Sequence, residues 1–178
     1  DLVFAGFAIN APVYGWDDFA GMDLKGIVVI ARIGEPAGDT ARFNGVRASR
    51  FARLLSKTAE LERRGAVGVL WLRPTGTVAS SPAGGQRRLA ATSEAATLLF
   101  SGNITDSAFA ALLPPGTSVR ALLDASARPG FRAVPLGVRL DVHLRTRPRV
   151  VLSHNVVGTV PGTDARLAGE HVVLSSHW

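Results

Sequence analysis

The chain has 178 residues, enough for one domain or for a domain and part of another, and 47% of them are hydrophobic, with no apolar run long enough to cross a membrane. It contains no cysteine, which excludes disulfides and thiolate zinc sites and leaves only nitrogen and oxygen as metal ligands. The formal charge of +6 is nearly all arginine, since Lys25 and Lys57 are the only lysines; the arginines are scattered and few aromatics accompany them, which favours a solvated surface over a nucleic-acid platform.

In chain order, residues 2–9 read as a strand, broken by turn chemistry at Ala11-Pro12-Val13-Tyr14-Gly15. The β-branched run at residues 27–31 predicts a strand buried on both faces, followed by a glycine- and charge-rich loop over 34–45. A helix is expected over 47–64, where Ala48, Phe51, Leu55 and Ala59 recur at helical spacing and Ala52 and Leu54 widen the stripe. Arg63 and Arg64 suit the negative end of its dipole, and Gly65 is placed to terminate it. Residues 66–72 read as another buried strand, so helix, glycine and strand make one α/β unit.

Residues 74–86 are rich in serine, threonine, glycine and proline and read as an exposed loop. A short strand is expected over 97–100, then two short helices over 106–113 and 118–125, separated by Pro114-Pro115-Gly116. Residues 136–145 alternate apolar and polar side chains, the pattern of a half-buried strand. A second extended segment follows over 149–160, then a turn at Pro161-Gly162-Thr163-Asp164, then a final buried strand over 171–176.

Local chemistry provides no complete active site. His143 lies on the polar side of its strand and reads as a surface imidazole, while His154 and His171 lack ligand spacing and read as structural. Trp16-Asp17-Asp18 offers two carboxylates, but neighbours in an extended chain point to opposite sides, so turn formation is the expected role. The serines show no Gly-x-Ser-x-Gly elbow. His177 differs from the other histidines because it ends an apolar run, and open α/β sheets place ligands and metals at the carboxyl ends of strands. The chain starts at Asp1 without an initiator methionine and stops one residue after His177, so both ends read as cut and most of the chemistry is expected beyond Trp178.

Two stretches resemble the di-zinc aminopeptidases that carry a protease-associated (PA) domain, a superfamily that includes glutamate carboxypeptidase and the catalytically dead transferrin receptor. The first comprises Val3-Phe4-Ala5-Gly6-Phe7-Ala8-Ile9, Ala11-Pro12, Tyr14-Gly15-Trp16-Asp17-Asp18-Phe19 and Asp23-Leu24-Lys25-Gly26-Ile27-Val28-Val29-Ile30. It is similar to the opening of the PA domain in bacterial members, and Lys57 to Ala59 with Gly65-Ala66-Val67-Gly68-Val69-Leu70 resembles that domain's helix-to-strand unit. The second stretch, Asn155-Val156-Val157-Gly158-Thr159-Val160-Pro161-Gly162 and then His171 to Trp178, is similar to the start of the catalytic domain, where the family reads His-x-Asp at a strand end. Phe7 and Phe19 stand where tyrosine is usual, and Ile27 where lysine is common.

The resemblance implies a mixed α/β chain: a PA-type β-sandwich or open barrel with flanking helices over 1–142, then the first strands of an α/β zinc-exopeptidase domain over 143–178. It implies that His177 binds one of two zinc ions, and that no catalytic residue lies in this chain, the bridging aspartate, the other ligands and the catalytic glutamate following Trp178. Two such ions roughly 3.5–4 Å apart clamp a peptide carbonyl and a bridging water, and a carboxylate carries the water's proton to the leaving amine. The expected substrate is a peptide, with the PA domain narrowing access or binding partners, in a secreted or periplasmic protein. Two relatives stay open as alternatives, a non-enzymatic PA interaction module and a single-zinc protein like glutaminyl cyclase.

Overall fold

The computed structural model describes residues 1–43, 47–73, 98–143, 145, 152 and 154–176. They form two units, Asp1–Val142 and His143–Trp178. In chain order the first unit comprises β1 (Leu2–Phe4), β2 (Asn10–Ala11), β3 (Trp16–Asp17), β4 (Val28–Arg32), α1 (Leu54–Arg63), β5 (Gly68–Leu72), β6 (Phe100–Ile104), α2 (Asp106–Ala111), α3 (Val119–Ser126) and β7 (Val134–Pro135). Short 3-10 turns span Pro12–Tyr14 and Arg50–Ala52.

The unit is mixed α/β. Its main sheet has five strands in the order β6-β5-β4-β1-β7, the first four parallel and β7 antiparallel to β1. A separate hairpin pairs β2 with β3. The central strands read as continuous apolar runs because both faces of the sheet are covered. Val29, Ala31, Val69 and Trp71 pack with Leu61 of α1 and with Phe19 and Leu24. On the other face Leu2, Phe4, Val28, Ile30 and Leu72 meet Phe109 of α2, with Leu122 and Leu123 of α3 against them. Val29, Ile30 and Val69 are fully buried, and each such side chain contributes roughly 1.5–3 kcal/mol. A third cluster, Phe7, Ile9, Ala11, Trp16 and Phe43, fills the space under the hairpin.

Several expected elements change in length. The strand over 2–9 pairs only as Leu2–Phe4, because Gly6 and Ala8 take positive φ angles of 52° and 53° and turn the chain. The helix over 47–64 begins at Leu54. Ser49 instead caps the short 3-10 turn by accepting from the Phe51 N–H, and Arg53 is extended at φ −72° and ψ 128°. Its buried face carries Lys57 and Leu61, whereas Leu55 is 82% exposed. Gly65 does terminate it, at φ +79°. The Gly65 N–H donates to the Glu62 carbonyl and the Ala66 N–H to that of Leu61, a Schellman arrangement that a left-handed residue makes possible.

The short strand expected over 97–100 begins at Phe100 and runs on to Ile104, while the two short helices form as Asp106–Ala111 and Val119–Ser126. Residues 136–140 keep the alternating burial expected of them, with Leu136, Val138 and Leu140 turned to the second cluster. Their pairing with β1 reduces to two hydrogen bonds, Leu136 N–H to the Leu2 carbonyl and Leu2 N–H to the Val138 carbonyl.

In the second unit, Asp164 shapes a turn by accepting from the Arg166 N–H at 2.8 Å. Residues 171–176 are not a buried strand: they join no sheet, and Val172, Val173 and Leu174 are 92%, 83% and 93% exposed. A strand is stable only with a neighbour to bond its backbone and cover its apolar face, and no described segment of this unit supplies one. The loop expected over 74–86 and most of the first half of the 149–160 segment lie outside the described residues.

Candidate functional site: a buried aspartate and lysine

Residues 5–9 leave β1 as a tight loop, and two charged side chains from other elements hold it. Asp18, which follows β3, is fully buried. Its Oδ2 accepts from the Ile9 N–H at 2.9 Å and its Oδ1 from Trp16 Nε1–H at 2.8 Å. Its own N–H donates to the Ile9 carbonyl, so main chain and side chain bind the same residue. Asp17 takes the turn-forming role expected of the pair, its Oδ1 accepting from the Phe19 N–H at 2.9 Å.

From the opposite side Lys57 of α1 reaches the loop, with only 2% of its surface exposed. Its ammonium donates to the Phe7 carbonyl and, at 3.4 Å, to the Arg32 carbonyl at the end of β4. The Phe7 ring lies 5.5 Å from the Lys57 Nζ and 4.2 Å from the Arg32 guanidinium, distances at which a ring face attracts a cation. Arg32 also donates to the Leu123 carbonyl at 2.8 Å and to Ser126 Oγ at 2.9 Å, tying α3 to the same strand end.

These bonds over-determine a strained segment. Ala8 at φ 53° occupies the left-handed region, which costs an L residue with a Cβ roughly 1–2 kcal/mol. At Gly6 a Cβ would stand 2.8 Å from the Phe131 ring, so only glycine fits. The loop keeps this shape because its polar groups on both sides have fixed partners. Every buried polar side-chain atom among the described residues is satisfied.

The electrostatics follow from burial. Loss of water pushes the Asp18 carboxyl up to about 7, against the opposing pull of the Ile9 N–H, the Trp16 indole and the Lys57 charge. The same loss pushes the Lys57 ammonium down to about 7, against the attraction of Asp18 and Glu35 and with the repulsion of Arg32. Both groups are spent on hydrogen bonds to the loop and its neighbours, so the arrangement is a clamp rather than a reacting pair.

A groove of about 270 Å³ adjoins the clamp, between residues 8–10 and α1, with Lys57 and Glu60 in its lining. Glu60 accepts from Arg63 at 2.7 Å, Arg64 at 2.6 Å and the Asn10 amide at 2.9 Å. Partial burial pushes its pKa upward, but those bonds outweigh it and hold the carboxyl down at about 2.

His177 lies outside the described residues. His143, His154 and His171 are exposed, as expected of the first; the other two, read as structural, join no strand among the described residues. Among the described residues no three His, Cys, Asp or Glu side chains come together as metal ligands, so these residues do not by themselves fit a zinc site. No helix among them is long and apolar enough to cross a membrane. The convergence of Lys57 and Asp18 on one loop was not legible as a site, because helical patterning treats lysine as an outward residue. The available signal was composition, since Lys57 is one of two lysines in a chain otherwise charged by arginine. The chain matches no family model, no curated protein and no solved structure.

Proposed function

We propose that the chain is a segment of a zinc-dependent exopeptidase, with residues 1–142 a PA-type domain that shapes access to the cleft or binds partners. Residues 143–178 then open the catalytic domain, and His177 ligates one zinc there. The observation that carries the reading is where the resembling stretches fall. Residues 3–30 fold with the separate stretch that holds 57–59 and 65–70 as one contiguous body that includes β1, β4, α1 and β5, with Lys57 buried within it. A five-stranded mixed sheet with helices packed on it and a small hairpin beside it is in keeping with a PA-type domain. The exposed valines of residues 156–160 and 172–173 are in keeping with strands that pair inside a larger sheet.

The alternative is a PA-type interaction module without enzymatic activity, which the groove beside α1 favours as a place for a partner. Metal and turnover measurements on the product of the complete reading frame separate the readings. The exopeptidase reading predicts two zinc ions per chain and release of amino acids from aminoacyl-4-nitroanilides. One zinc with cyclisation of N-terminal glutamine would assign the protein to the glutaminyl cyclase-like alternative. Absence of both zinc and turnover would leave the interaction module.

A further inference from the structure

The groove beside the clamp has a second property that the zinc reading does not use. Residues 47–55 carry three arginines and no acidic residue. Arg47, Arg50 and Arg53 are all exposed, and among the described residues none of the three forms an ion pair with a carboxylate. Arg50 lines the groove, and its guanidinium stacks 4.8 Å above the Phe51 ring, which lines it too. Stacking holds the plane in place and leaves its N–H edges for an acceptor, the preorganisation that makes arginine a good carboxylate fork.

The one carboxylate in the groove wall does not oppose an incoming anion. Glu60 is saturated by Arg63, Arg64 and Asn10, so its charge is already met. Arg63, on the same wall, keeps 63% of its side chain exposed. The clamp fixes the facing wall, because Ala8 and Asn10 flank Ile9, whose N–H and carbonyl Asp18 holds. At about 270 Å³ the groove has room for a side chain or two.

We infer that this groove is a docking site for an acidic peptide segment of a partner protein, with an apolar side chain against Phe51 and a carboxylate on Arg50. Charge complementarity selects the occupant: Arg50 beside Phe51 in the groove, Arg63 on the same wall, and Arg47 and Arg53 exposed in the adjoining segment, with the nearby Glu35 carboxylate taken up by Ser49, suit alternating acidic and apolar residues. The site stands on the first unit alone and does not depend on the zinc reading.

The test is a titration of the ¹⁵N-labelled 178-residue chain with the peptide acetyl-Glu-Glu-Leu-Glu-Glu-Leu-Glu-Glu-amide, followed by amide shifts. Expected are saturable shifts at residues 8–10 and 50–63, at least tenfold weaker binding by Arg50→Glu, and at least threefold by Arg50→Gln. Arg120→Glu, on α3 with 88% of its side chain exposed, controls for net charge and is expected to change affinity less than twofold. Melting curves confirm that each variant is folded. Equal weakening by Arg50→Glu and Arg120→Glu would overturn the site, as would equal binding of the peptide with glutamine in place of glutamate. Tighter binding of a single-stranded oligonucleotide of the same charge at the same residues would overturn the peptide as occupant.

Discussion

Lys57 does at the scale of one residue what the hydrophobic pattern of α1 does not reveal. Its stem lies in the core and its ammonium replaces lost water with the Phe7 and Arg32 carbonyls, in the field of Asp18. Removing one member of such a set strands the rest. Lys57→Met is therefore expected to lower unfolding free energy by about 3 kcal/mol in urea titration. A loss below about 0.5 kcal/mol, the range of ordinary surface changes, would show that the clamp holds nothing. Glu60 gives a pH test of the neighbouring network. Its carboxyl is held down at about 2 in the fold against an ordinary value of 4.5, so its stabilisation is present above 4.5 and lost as pH falls from there through 2. Glu60→Gln is expected to flatten that part of the acid unfolding curve. An unchanged slope between pH 4.5 and 2 would place the acid sensitivity elsewhere.

At the scale of elements, β4 and β5 were legible because a strand covered on both faces is apolar throughout, and α2 and α3 as two helices because Pro114-Pro115-Gly116 separates them; in the structure each starts at a side-chain cap, Thr105 and Ser118. The C-terminus of α1 was legible for a similar reason, since Gly65 is the residue type its left-handed φ of +79° requires. Gly65→Ala is expected to destabilise the first unit by about 1–2 kcal/mol, the cost of a Cβ in that region. A melting temperature equal to that of the parent would mean that the turn relaxes without loss.

What misled was the start of α1. Phe51 and Leu55 carry the right spacing, yet Phe51 belongs to the aromatic cluster with Tyr14 and Phe43, and Arg53 breaks the helix between them. Spacing along the chain reports periodicity, not which cluster a side chain joins. The same limit applied to residues 2–9, read as one strand, where Ala8, an ordinary residue at a positive φ, gave no sign of the turn that Asp18 and Lys57 enforce.

For the whole molecule the two units pose different physical problems. The first buries its apolar strands on both sides of a sheet and satisfies its buried polar atoms. The second exposes Val156, Val157, Val160, Val172, Val173 and Leu174, and the strands read there from apolar character need neighbours that its described residues do not supply. Apolar runs state that burial is wanted; they do not state against what. The zinc exopeptidase reading answers that question by placing these segments in a catalytic sheet with His177 at a strand end. Its most direct test is His177→Ala in the product of the complete reading frame, with zinc content, turnover and melting measured on one preparation. Bound zinc is expected to fall by about one ion per chain and most of the turnover to be lost, while the melting temperature holds within a few degrees, because a zinc–imidazole bond is removed and little packing with it. Full zinc content with full activity and a lowered melting temperature would make His177 a core histidine and contradict the account.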